Sequence, residues 1–161
     1  MLALDVDWLL DSGLAPDVDE EKLAPLYVAA ASGRLAMPFC ADCATPIDLD
    51  QHVCDNCGSA RTLWRTVESA GIVHSATVMH RLEPGLVRAD APYPILDVEL
   101  TSGHRLIMTT RDSTDPEFRI GDRVRIGFRN LGEVAIPAAC PVVPVQTAKE
   151  ATAQSISEEH P

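Results

Sequence analysis

From Thr62 onward, apolar and polar residues alternate with a period of two, the spacing of a half-buried strand. In Gly71–His80, the residues Ile72, His74, Ala76, Val78 and His80 fall on one face. In Arg123–Arg129, Val124, Ile126 and Phe128 fall on one face and Arg123, Arg125 and Arg129 on the other. Tyr93–Thr101 and His104–Thr110 flank Ser102-Gly103, a good two-residue hairpin turn. Trp64–Val67 begins another strand, and Gly132–Ile136 is placed to close the sheet. Five or so short strands predict a small antiparallel barrel, interrupted by longer loops at 81–92 and 111–121. Before Thr62 the period changes. Leu23, Leu26, Tyr27 and Ala30 follow i, i+3, i+4, i+7 and predict a helix over 19–33. Asp19 is a candidate cap, Pro25 a candidate first-turn residue and Gly33 a candidate terminator.

Between helix and strands lie two CxxC knuckles, Cys40-Ala41-Asp42-Cys43 and Cys54-Asp55-Asn56-Cys57. A tight turn lets both sulfurs of such a pair face one ion, and the ten residues between the pairs let the second knuckle return to the first. Four thiolates make a closed tetrahedral zinc site, a staple rather than a catalyst. Disulfide or thioredoxin-like redox chemistry is the competing reading. No basic region precedes the first apolar run, so a reducing, cytoplasmic setting is expected, where paired cysteines bind metal more often. No βαβ pattern surrounds either knuckle.

Composition narrows the partners. Aromatic residues are 4% of the 161 and apolar residues 46%, so the core must be mainly aliphatic. No apolar run is long enough to span a membrane. The net charge of −11 is concentrated at the front: residues 1–60 hold eleven Asp/Glu against Lys22 and Arg34. Nucleic acid, which needs cationic side chains, is thereby disfavoured, and a basic protein surface suits the N-terminal half better.

The segments "SGRL", "CADC", "CDNCGS", "GIVHSATVMHR", "PYPILDVEL" and "IGDRVRIGF", in this order, resemble the zinc-ribbon/OB-fold family once catalogued as domains of unknown function. The resemblance covers about residues 22–145. It implies a mainly β fold: an N-terminal helix and a rubredoxin-like zinc ribbon, then a small antiparallel OB-fold barrel. The expected segments are an acidic helical region at 1–35, the ribbon at 36–61, the barrel at 62–145 and a disordered tail at 146–161. The resemblance also implies a non-catalytic partner of thiolase-superfamily acyl-CoA enzymes (thiolases, acyltransferases or side-chain retro-aldolases), in a hetero-oligomer that can include a hydratase-like subunit. Two departures stand out: Ala44-Thr45 where the family usually carries Gly, and an acidic inter-knuckle loop, Pro46–Val53.

Cys40, Cys43, Cys54 and Cys57 are the expected metal ligands. Arg123, Arg125 and Arg129 are candidates for the phosphates of an acyl-CoA shared with the partner. Trp8, Leu9, Asp48, Asp50, His80 and Arg81 are candidates for partner contact, although the apolar cluster at residues 8–10 also fits a segment packed on the protein's own surface. His74 and His80 lack a recognisable nucleophile or carboxylate partner, and no catalytic residue is expected. Cys140, in a proline-rich stretch, is expected to be an inert thiol; that stretch also suits an extended segment laid in a partner's groove. The rival reading is an independent acyl-CoA-binding OB module.

Overall fold

The computed structural model describes residues 6–19 and 22–142. The expected disordered tail, 146–161, and the last barrel residues, 143–145, lie outside the described residues. The chain forms a 3-10 turn (Ser12–Leu14), a helix α1 (Ala24–Ala30) and seven strands. These are β1 (Leu35–Cys40), β2 (Thr62–Val67), β3 (Ala70–Met79), β4 (Tyr93–Leu100), β5 (Arg105–Met108), β6 (Arg123–Leu131) and β7 (Val134–Pro141).

α1 is shorter than the periodicity predicts. Leu23 stands at its N-cap position and Pro25 in its first turn, where a missing amide is harmless. Asp19 does not cap it. Leu26, Ala29 and Ala30 are buried, and Gly33 takes φ +69° just past the end.

β1 and β2 pair antiparallel as a two-stranded ribbon. β2, expected to open the barrel, therefore belongs with the knuckles. The other strands form one sheet in the order β5-β4-β3-β6-β7. It curls until a parallel bridge joins Thr110 to Ala139: the Arg111 amide donates to Ala139 O (2.9 Å) and the Ala139 amide to Thr109 O (2.9 Å). Strand order and parallel closure are those of an OB barrel.

Two details depart from simple alternation. A bulge falls between Val73 and Ser75, so His74 is the extra residue. Ile72 pairs with Glu99 on the outer face, whereas Ala76 and Val78 pair with Leu96 and Pro94 on the other. The five residues expected on one face are thus divided. Gly71 sits where a Cβ would lie 2.6 Å from Glu99 O, so the strands approach more closely than any side chain allows. The proline-rich stretch is not a free arm; it is β7. The Ala139 amide points away from β6, and by strand parity the ring nitrogens of Pro137 and Pro141 point the same way. Neither proline therefore costs the β6–β7 ladder a bond.

One core runs through ribbon and barrel. Leu35 and Met37 of β1 pack with Leu26, Val73, Leu96, Val98, Leu106, Met108, Val124 and Ile126. His104, 1% exposed, ties the two parts together. Its Nε2 lies 2.7 Å from Pro38 O, its Nδ1 2.8 Å from Ser102 Oγ, and its ring meets Phe39 edge-on at 4.8 Å. Nε2–H donates to the carbonyl, and the serine hydroxyl donates to Nδ1. His104→Ala removes both bonds and opens a cavity at this seam. We expect a loss of about 3 kcal/mol, read as a fall of roughly 6–12 °C in Tm with bound metal retained.

Candidate metal centre

The two knuckles are copies of one turn. The Cys40 amide donates to Thr45 O (2.8 Å) and the Ala44 amide to Cys40 O (3.0 Å). In the second copy the Cys54 amide donates to Ser59 O (2.8 Å) and the Gly58 amide to Cys54 O (2.8 Å). In each, the residue after the second cysteine takes positive φ: Ala44 at 60° and Gly58 at 76°. Ala44 pays a steric penalty there that glycine avoids. Ala44→Gly should stabilise the chain by about 0.5–1 kcal/mol, measured as a higher urea midpoint at unchanged slope.

The turns bring the four Sγ atoms within 4.8 Å of one another. Cys40 and Cys57 stand at 3.5 Å, Cys43 and Cys54 at 3.6 Å. A tetrahedral zinc–thiolate site has S–S edges of about 3.8 Å, so the cluster needs little movement to take an ion. Cys40 and Cys54 are buried against Ile47; Cys57 is exposed. Asp42 accepts from Ser59 Oγ and from Arg61 Nη1 (2.6 Å), which ties the first knuckle to the chain leaving the second. The Thr45 hydroxyl, 3.1 Å from Cys43 Sγ, and then Asn56 hold the Cys43 thiol down to about 5. For Cys57 the Ser59 amide lowers the pKa, but hydrogen bonds to Cys40 and Cys43 push it up to about 12. All four donors are sulfur, so an ion held here has no open position for substrate.

Asp48 and Asp50 are exposed on the inter-knuckle loop, which Gln51 braces through the Asp48 amide (3.1 Å) and Val53 O (2.7 Å). His80 and Arg81 are exposed beyond β3, with Arg81 paired to Glu83 (2.9 Å). The arginine set is split. Arg123 and Arg125 are exposed on β6. The Arg129 side chain is 10% exposed and donates through Nη1 to both Asp7 oxygens (2.7 Å each), while its Nε has no partner. Burial pulls the Arg129 pKa below its ordinary value, and Asp7 opposes the shift. Leu9 is 3% exposed, and the Trp8 indole donates to Thr110 O (3.2 Å). The Arg88 amide donates to Leu9 O (2.7 Å) and the Asp11 amide to Leu86 O (2.9 Å). The segment at Trp8–Leu9 therefore covers this chain's own barrel and offers Leu9 to no partner as it stands. Cys140 is buried, and that burial raises its thiol, as an inert cysteine requires.

Sequence reasoning missed Asp7 and His104. His104 shares its parity with the buried Leu106 and Met108, and that was the readable signal. Asp7 carried none, because its partner is 122 residues away.

Residues 64–129 match a family model described as the ChsH2 C-terminal OB-fold domain. A protein of Thermomonospora curvata named probable enoyl-CoA hydratase alpha subunit is 33% identical over 121 residues, which is 73% of this chain and 37% of that protein. The chain thus spans little more than a third of the length of this curated relative. A solved chain of the Ltp2-ChsH2(DUF35) aldolase superposes with a TM-score of 0.66 and 27% identity, over 80% of this chain and 100% of that one. The match to the ChsH2 C-terminal OB-fold model runs from β2 into β6, and together with the knuckles it agrees with the zinc-ribbon/OB-fold architecture that the sequence resembles.

Proposed function

We propose that this chain is a non-catalytic, zinc-binding accessory subunit of a thiolase-superfamily acyl-CoA enzyme, retro-aldolase, thiolase or acyltransferase. The observation that carries the reading is the 0.66 TM-score to a chain of the Ltp2-ChsH2(DUF35) aldolase, all of which is matched. The name of the curated relative supports a hydratase-like subunit in the same assembly. Zinc, when bound, compensates the thiolate charge and fixes the knuckles in one geometry. The chain's own residues then act by position. The ribbon is rigid through His104 and the shared core, and it presents Asp48 and Asp50 to a basic surface of the partner. His80 and Arg81 stand at the end of β3 for a second contact. Nucleophile and base come from the partner.

One observation favours a second reading, an independent acyl-CoA-binding module: Arg123 and Arg125 are exposed and, among the described residues, paired with no carboxylate within salt-bridge distance. Their guanidinium forks suit phosphate oxygens. A pull-down of the tagged chain from its native host, with mass spectrometry and metal analysis, separates the two. We expect a thiolase-superfamily enzyme and about one zinc per chain. A chain recovered alone that binds acyl-CoA by calorimetry, and loses that binding in Arg125→Glu, replaces the first reading with the second.

A further inference from the structure

β3 outruns its neighbour. β6 pairs with it only from Ala70↔Arg125 to Ile72↔Arg123. The last bonds on that side are the Val73 amide to Asp122 O (2.9 Å) and the Gly121 amide to Val73 O (2.8 Å). On its other side β3 continues with β4 to Met79↔Tyr93. Among the described residues, Ser75–Met79 therefore has a strand on one side and none on the other.

Register tells which groups are free. Val73 directs its amide and carbonyl away from β4, so Val73↔Val98 is a pair without mutual hydrogen bonds. Following β4 in steps of two, Leu96 and Pro94 hold the same kind of pair with Ala76 and Val78. Ala76 and Val78 thus each point one N–H and one C=O out of the sheet. Their side chains are exposed too, Val78 by 50%, with Met79 beside it at 40%.

Edges of this kind are normally blunted with lysine, proline or an inward charge. Here Ala70–His80 contains no Asp, Glu, Lys, Arg or Pro, although the chain carries −11 overall. The bulge at His74 sits at the start of the free stretch, not within it. A row of unpaired amides and carbonyls at strand spacing is complementary to one object, another extended strand. The absence of charge selects an uncharged strand with apolar side chains at alternate positions. A second copy is disfavoured, because two chains of −11 repel each other.

We propose that the free edge of β3, Ser75–Met79, receives an extended, uncharged segment of the partner enzyme by strand addition. This rests on the accessory-subunit reading above. The test uses the complex recovered with the wild-type chain. Hydrogen exchange at the Ala76 and Val78 amides should slow at least about tenfold on complex formation, while free edge amides exchange fast. Val78→Pro removes an amide that bonds nothing among the described residues, so the isolated variant should melt within about 2 °C of wild type. It should retain the partner at least about tenfold less tightly, and Val78→Lys should weaken retention in the same direction. A complex that forms without protection at Ala76 and Val78 overturns this proposal and leaves the accessory reading standing. So does equal retention by both variants. An isolated wild-type dimer that Val78→Pro converts to monomer assigns the edge to a second copy and overturns it as well. A wild-type chain that retains no thiolase-superfamily enzyme overturns the accessory reading, and this proposal with it.

Discussion

Cys54→Ser protein will leave its host without metal and melt roughly 10–20 °C below the wild type. Cys54 is 2% exposed and lies 3.6 Å from Cys43, so serine would offer a weaker, shorter donor at a buried position. Structural zinc sites contribute about 10 kcal/mol or more to the folding of small domains, and this one also benefits from the ribbon's packing. A loss of about 5 kcal/mol is therefore a modest expectation. It will not stay in the ribbon. Cys40 ends β1, and Leu35 and Met37 of that strand are fully buried in the core shared with the barrel. Loosening the knuckles frees β1 and thins the barrel core. Metal analysis beside calorimetry checks both halves. A variant that still holds one zinc per chain, or melts with the wild type, removes the four-sulfur site as the basis of stability.

What the sequence revealed depended on how local the cause was. The knuckles are readable because two residues of spacing already decide that both sulfurs meet. The hairpin at Ser102-Gly103 is readable because the turn needs positive φ, and Gly103 takes 88°. The Val124, Ile126 and Phe128 face was legible because β6 has no irregularity in its pairing with β7. On β3, one extra residue at His74 moved everything after it to the opposite face, and no propensity marks a bulge. Two prolines disguised β7, since their tolerance depends on which edge their nitrogens face. β2 was correctly read as a strand but assigned to the wrong sheet, because its partner is fixed by the metal knuckles folding back and not by its own side chains.

The arginine stripe was divided for a related reason. Alternation correctly places Arg123, Arg125 and Arg129 on one face of β6, but what covers that face is set by a segment more than a hundred residues earlier. Arg123 and Arg125 meet solvent, whereas Arg129 meets Asp7. Charge in the acidic N-terminal half is therefore not all available to a partner. One carboxylate is spent within the chain, where it also accepts from the Leu9 amide (3.2 Å) and the Leu10 amide (2.6 Å).

Asp7→Ala should accordingly cost about 3–5 kcal/mol, the penalty for leaving a buried charge without its counter-charge. The Asp7 side chain is 1% exposed and that of Arg129 10%, and Arg129 Nε already lacks a partner, so the variant has no second acceptor to fall back on. The same change releases the Leu9 and Leu10 amides, so the segment that Leu9 and Trp8 anchor should lift from the barrel. Three readings follow: Tm falls by roughly 6–20 °C, tryptophan emission moves to the red, and proteolysis appears between residues 7 and 15. Replacing both partners, Asp7→Leu with Arg129→Met, removes the charge along with its partner and should recover most of the stability. The cycle of single and double variants then gives the coupling directly, expected at about 2–3 kcal/mol. An Asp7→Ala protein as stable as wild type would mean that apolar packing of Leu9 alone holds the segment.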